Sequence, residues 1–275
     1  MKITKKVIAF LALLSVPCIS QAAALYADTN GDGVIDTVVS AVDAYGDYIQ
    51  IYHPNTGVSN KYYIGSISTG LTSSRLVGAT DTNGLAGEEV VVLATYTSGA
   101  AVVVIEDAKS TTRSYNFGTG LASISVVSII NNTNGLVGNE IIVRTASSGL
   151  IPTTSLNVID DRKGVTRQYA FGTGLTSVKV VRVTDTNGLA GDEIVMQLES
   201  SSGIRTIAIQ IIDDAKATTR QYNQSNGLQT FTVQAIRNYD GQAGAEVCYQ
   251  GSTYYSTYYQ MIVDRTGSVV SRSSC

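Results

Sequence analysis

The residues best suited to chemistry lie between positions 28 and 36, where the chain reads Asp28-Thr29-Asn30-Gly31-Asp32-Gly33-Val34-Ile35-Asp36. Oxygen-bearing side chains at alternate positions, Asp28, Asn30 and Asp32, point inward from a tightly wound backbone. The glycines allow the curvature, and three carboxylates, Asp36 included, offset the charge of a hard divalent cation. Calcium is the cation that this pattern fits. An EF-hand would need a bidentate acid at the twelfth position, which is Val39, and a helix on each side. Strands are expected on both sides of this loop, so the EF-hand is excluded.

The loop returns four times: Asp81 to Glu89, Asn132 to Glu140, Asp185 to Glu193 and, more loosely, Asn238 to Glu246. Its fifth position becomes Leu85, Leu136, Leu189 or Gln242, and a leucine side chain cannot ligate a metal. The glycines and the last acid persist. These copies therefore read as turns in which Asn or Asp accepts local backbone N–H groups. Two retain enough oxygens to be weaker cation candidates, through Asp81, Asn83 and Glu89 and through Asp185, Asn187 and Glu193.

A second element repeats on the outer hairpin: Asp107 to Tyr115, Asp161 to Tyr169 and Asp214 to Tyr222, with Asp264, Arg265 and Arg272 as a degenerate echo. An acid before the turn and an arginine after it are placed to pair across the hairpin, an exposed contact of little energetic value. The functional alternative is a ring of equivalent side chains, Arg113 and Tyr115, Arg167 and Tyr169, Arg220 and Tyr222, presented to an anionic or sugar ligand with multivalent avidity. Tyr254, Tyr255, Tyr258 and Tyr259 form an aromatic cluster outside the pattern, expected on a packed outer face.

The elements that must position these residues follow from the period. The loops start at 28, 81, 132, 185 and 238, spacings of 53, 51, 53 and 53. Each unit has room for four short strands rich in β-branched residues, as in Arg75 to Thr80, Glu89 to Tyr96, Ala101 to Asp107 and Thr111 to Phe117. Runs such as Val90-Val91-Val92 and Val102-Val103-Val104-Ile105 predict strands covered on both faces. Five such units predict an all-β, five-bladed β-propeller of four-stranded antiparallel blades. The expected layout is a signal peptide over 1–23 and one domain over 24–275, in units of about 24–70, 71–121, 122–175, 176–228 and 229–275. Independent sandwiches are excluded, since about 50 residues cannot bury a two-sheet core alone.

With these features in place, the chain resembles the FG-GAP repeats, the calcium-loop blades of integrin-alpha-type propellers, whose motif is Asp-x-Asn-Gly-Asp-Gly-x-x-Asp. The match covers the mature chain as a period and is specific at Asp28 to Asp36. The resemblance implies that Asp28, Asn30, Asp32 and Asp36 are calcium ligands, joined by the backbone carbonyl of Val34. The chain differs in having five copies rather than seven and in lacking the Phe-Gly…Gly-Ala-Pro signature.

Lys2, Lys5 and Lys6, the apolar run Val7 to Val16 and the small residues Ser20 to Ala24 read as a secretory leader. Its apolar core is too short for a bilayer span, which takes about 20 residues. Pro17 argues against a lipoprotein at Cys18, which is taken as removed with the leader. Loss of those three lysines shifts the formal charge from −3 to −6, which disfavours nucleic acid as a partner. Cys248 and Cys275 are expected to form a disulfide in an exported chain. They lie on the second strand and after the fourth strand of the last unit. Two strand spacings, about 9.6 Å, exceed disulfide reach, so the last residues must curl past the third strand and pin that edge.

Five-bladed propellers include glycoside hydrolases, which use paired carboxylates, so the acids were traced. All but Asp43, Asp47 and Glu199 of the 22 belong to the repeated loops or to the ends of the third strands. His53, the single histidine, sits beside Pro54 and reads as a surface residue rather than a general base. The expectation is a non-enzymatic, secreted or periplasmic binding module, lectin- or adhesin-like, taking carbohydrate or a surface protein. The alternative is a structural or protein-interaction scaffold, with a hydrolase third.

Overall fold

In the computed structural model, the described residues are 24–150, 152–200, 206–224 and 227–275. The expected leader and Cys18 lie outside them. The chain is all-β and forms five sheets of four antiparallel strands, each built from consecutive sequence. Blade 1 is β1 (Leu25–Ala27), β2 (Asp36–Asp43), β3 (Gly46–His53) and β4 (Val58–Gly65). Blade 2 is β5 (Leu71–Thr80), β6 (Glu89–Tyr96), β7 (Gly99–Glu106) and β8 (Thr111–Phe117). Blade 3 is β9 (Leu121–Asn131), β10 (Glu140–Ser147), β11 (Thr154–Asp160) and β12 (Val165–Phe171). Blade 4 is β13 (Leu175–Thr184), β14 (Glu193–Ser200), β15 (Thr206–Asp213) and β16 (Thr218–Asn223). Blade 5 is β17 (Thr230–Arg237), β18 (Glu246–Ser252), β19 (Thr257–Val263) and β20 (Ser268–Arg272). No helix among the described residues is long and apolar enough to cross a membrane.

Period-2 alternation explains why the middle strands are apolar throughout. In β6, Val90, Val92 and Ala94 pack toward blade 1, against Val38, Ile49 and Ile51, while Val91 and Leu93 pack toward blade 3, against Ile141 and Val143. The same division recurs, so four apolar clusters join blades 1 and 2, 2 and 3, 3 and 4, and 4 and 5. Each wholly buried valine or isoleucine contributes about 1.5–3 kcal/mol by leaving water. Contacts of β5 with β1 and β9, and of β9 with β13, make the first strands the inner ones.

Among the described residues, no hydrogen bond, ion pair or apolar cluster joins blade 5 to blade 1. Cys248 holds the register position that Val91 holds in blade 2, the one facing the following blade. It is buried and bonded to Cys275, with Cα atoms 5.7 Å apart. The three residues after β20 therefore bring the chain back over that face, as the strand-spacing argument requires. The tyrosine cluster is split: Tyr254 and Tyr255 sit fully out on the β18–β19 turn, whereas Tyr258 and Tyr259 lie within β19. A turn therefore interrupts the cluster, and Tyr254 and Tyr255 are not on the expected packed outer face.

The loops overlap like tiles, and glycine permits it. Gly191 has φ +102°, and a Cβ there would stand 2.8 Å from the carbonyl oxygen of Thr133 in the preceding loop. Gly57 also has positive φ, +70°, but faces open space. Gly57→Ala is expected to cost about 1 kcal/mol, the left-handed penalty alone. Gly191→Ala is expected to cost at least about 2 kcal/mol more, because the loop must also shift. Urea unfolding of the two variants measures the difference.

Candidate functional site

The five loops share one end of the blades, between the first and second strands. Each lies on its neighbour through a backbone bond: Glu88 N to Asp28 O (2.8 Å), Asn139 N to Asp81 O (2.8 Å), Asp192 N to Asn132 O (2.7 Å) and Ala245 N to Asp185 O (2.9 Å). In the first loop, Asp28 Oδ1 accepts from Gly31 N (2.8 Å) and Asp32 N (3.1 Å), and Oδ2 from Gly33 N (2.8 Å). Asp32 Oδ1 accepts from Val34 N and Asn30 Oδ1 from Asp32 N. The structure thus gathers Asp28, Asn30 and Asp32 around one exposed turn, where Asp32 Oδ2 also accepts from the side-chain amides of Asn30 (3.1 Å) and Asn55.

Asp36 is placed elsewhere. It is wholly buried, with Oδ2 accepting from Thr29 N (3.0 Å) and Thr29 Oγ1 (2.7 Å) and Oδ1 lying 2.9 Å from His53 Nδ1. The last acid of every other loop does the same. Glu89, Glu140 and Glu193 each accept from the N–H of the second loop residue, Thr82, Thr133 and Thr186, and Glu246 accepts from Tyr239 N. For the weaker cation candidates this means that Glu89 and Glu193 are turned inward, while Asp81 and Asp185 each accept the glycine N–H of their own turn.

The buried acids meet a second set from the following blade. Thr29 Oγ1 lies 3.0 Å from Asp107 Oδ2, Thr82 Oγ1 2.7 Å from Asp161 Oδ2, Thr133 Oγ1 3.2 Å from Asp214 Oδ2 and Thr186 Oγ1 2.9 Å from Asp264 Oδ2. The arginines complete these joints. Arg113 grips Asp161 in a two-pronged fork (2.8 and 2.6 Å), and Arg220 grips Asp264 in the same way. Arg167 reaches Asp214 through its carbonyl oxygen (2.6 Å). Tyr115, Tyr169 and Tyr222 donate to those aspartates at 2.5, 2.6 and 3.0 Å, and burial pushes all three phenols upward.

Two expectations are corrected here. Asp161 and Asp264 are buried and take their arginine fork from the preceding blade, while Arg113 also pairs across its own turn with Glu106 (3.2 Å). The six Arg and Tyr side chains considered for ligand binding turn their polar ends toward Asp161, Asp214 and Asp264, with Arg113, Arg167 and Arg220 still 36%, 30% and 38% exposed. His53 is also buried, 5% exposed, since β3 ends with that side chain turned inward. Its Nε2 lies 3.1 Å from Asp107 Oδ2, so the ring stands between two carboxylates, one on each nitrogen. Asp36, His53 and Asp107 bring ligand-type atoms within 4.8 Å of one another. The amides of Asn30 and Asn60 also approach the two ring nitrogens, at 3.2 and 3.3 Å, so this buried group is tied to its neighbours on every side. In blades 2 to 4 the His53 position is an acid, Glu106, Asp160 or Asp213, paired with Lys109, Lys163 or Lys216. Asn60 stands where blades 2 to 4 have arginine, and its Nδ2 donates to Asp107 Oδ1 (2.9 Å).

At the opposite end, clefts open between successive blades. One of about 540 Å³ lies between the β2–β3 turn and the connection from β4 to β5. Its equivalent, about 340 Å³, lies between the β6–β7 turn and the start of β9. A third, about 520 Å³, lies between the end of β12 and the outer strands of blade 4. The second is lined by Thr95, Thr97 and Ser123 beside Leu121, and the third by Gln210, Gln221 and Asn223 beside Phe171. Grooves between blades are the place expected of such a binding module, but the residues that line these clefts were not legible in the sequence. The signal was the repeated Thr69-Gly70-Leu71, Thr119-Gly120-Leu121 and Thr173-Gly174-Leu175, whose glycines all have left-handed φ (79°, 75° and 80°).

The buried glutamates set a pH dependence. Burial raises Glu89, Glu140 and Glu193 from 4.5 to about 7. One threonine proton cannot serve two carboxylates, which further favours a protonated glutamate. A raised carboxyl pKa means that the folded state holds more protons between pH 4.5 and 7, so stability falls as pH rises through that window and levels off above it. Each glutamate is expected to contribute on the order of 1–3 kcal/mol. Denaturation at pH 4.5, 6 and 7.5 should show the decline in the wild type and a flatter profile with Glu89→Gln, Glu140→Gln and Glu193→Gln combined.

No protein-family model matches this chain, and no curated protein sequence matches it at a significant level.

Proposed function

We propose that the chain is an exported, non-enzymatic binding module of lectin or adhesin type, which holds carbohydrate in the clefts between blades. The observation that carries this reading is the recurrence of clefts at one end, two of them lined by uncharged hydroxyl or amide groups beside an apolar wall. That lining suits a neutral, polyhydroxylated ligand, and the sizes fall within the roughly 300–1,000 Å³ usual for small-ligand sites. Repetition along the array adds avidity for a polymer. The buried acids of the joints are committed to threonine, arginine and tyrosine partners, which supports a binder. Calcium at Asp28, Asn30 and Asp32 stabilises the first blade in this proposal. A second reading, a protein-interaction scaffold at the cell surface or in the periplasm, draws support from Tyr254 and Tyr255, 82% and 99% exposed on one turn.

A glycan screen of residues 24–275 tests the first reading. Ala122→Trp and Ala170→Trp fill two clefts at exposed positions, and together they should lower apparent affinity for a bound glycan by at least about tenfold. Unchanged glycan binding in the double variant would move the site elsewhere. Calcium is tested by thermal unfolding with the ion and with chelator. The ion at a hundredfold its Kd should stabilise the wild type by about 2.7 kcal/mol and leave Asp32→Ala unmoved.

A further inference from the structure

We propose that the cleft between blades 1 and 2 is specialised for a sugar carrying a free amino group, an inference that rests on the carbohydrate reading above. Asp43 and Asp47 are two of the three acids that belong to neither repeated element, and both line this cleft. The register puts Tyr96 and Ala100 at the same positions in blade 2, and Ser200 and Ile207 in blade 4. Carboxylates thus distinguish the first cleft from the other two.

The two acids are not equivalent. Asp43 Oδ1 accepts from Tyr45 N (2.8 Å), and its Oδ2 accepts from Tyr63 Oη (3.0 Å) and Lys61 Nζ (3.3 Å). Its charge is matched and its role is to hold the turn. Asp47 accepts at Oδ2 from Ser74 Oγ (2.6 Å), and no described lysine or arginine lies within ion-pair distance of it. The cleft therefore contains one oriented carboxylate whose charge is uncompensated.

Beside it stand groups suited to the rest of a sugar ring. Tyr45 is 78% exposed and Ile67 93% exposed, on the two segments that border the cleft. Tyr45 is nonetheless held in place, by the bond from its N–H to Asp43 and by an edge contact with Tyr63 (6.2 Å, 81°). An aromatic face takes both the C–H face of a pyranose and a nearby cation, and an ammonium has three protons to share between Asp47 and a serine hydroxyl. Ser66 and Ser68, on the opposite segment, supply such hydroxyls. A neutral sugar would leave Asp47 desolvated and unpaired, which disfavours it here.

Calorimetric titration of residues 24–275 with a glucosamine tetramer and with its fully N-acetylated counterpart tests this. The amine form is expected to bind the wild type at least about tenfold tighter, about 1.4 kcal/mol, with the advantage shrinking at high salt. Asp47→Asn should abolish the preference while keeping the wild-type melting temperature. Tyr45→Ala should weaken both ligands. A preference that survives Asp47→Asn, or equal or tighter binding of the acetylated form, overturns the proposal and leaves the carbohydrate reading intact. Binding of neither tetramer at any cleft, alongside a blank glycan screen, overturns both.

Discussion

Every other feature of this molecule depends on the two-sided burial of its sheets. A four-stranded sheet of about 50 residues cannot enclose a core, and β6 and β7 are apolar on both faces. Such a sheet gains from the hydrophobic effect only when another sheet covers each face. Stacking is therefore a condition of folding, and the repeat is the means of meeting it. The disulfide of Cys248 belongs to the same logic, because it covers the face of blade 5 at the register position where the other blades meet a successor.

Stacking brings a polar cost, and the buried joints offset it. The strand ends must leave the apolar layer through turns whose N–H groups need acceptors. The last acid of each loop supplies one acceptor, and the first acid of the outer hairpin ties the preceding blade through threonine, arginine and tyrosine. A buried carboxylate is tolerated only when charge and hydrogen bonds meet it. Arg113 and Arg220 do so by forks, Arg167 by its Nε 3.5 Å from Asp214 Oδ1, and in blade 1 Thr29, Asn60, Tyr62 and His53 surround Asp36 and Asp107. This division of labour ties the buried acids at one end of the blades to internal partners, while the clefts open at the other.

The strands were legible from residue pattern because β-branched runs and glycine turns act over a few residues. Glu89–Tyr96 and Thr111–Phe117 have the predicted bounds. The roles of Asp107, Arg113 and Tyr115 were not legible in the same way. Their spacing within one hairpin suggests a local pair, yet the fork closes on Asp161, 48 residues away in the next blade. His53 was misplaced for a related reason. Beside Pro54 it looks like a turn residue, and only the register of β3 shows which way the side chain faces.

The sequence alone determined the period, the all-β class, the number of blades and the pairing of the two cysteines, since these follow from local propensity and the reach of the chain. Tertiary structure decided which oxygens share a site. It separated Asp36 from Asp28 and Asp32, turned six conspicuous Arg and Tyr side chains toward blade joints, and placed the unmatched Asp47 beside Tyr45 in a cleft. Those outcomes depend on which sheet face meets which neighbour, and a contact between blades is fixed by stacking geometry that no single repeat encodes.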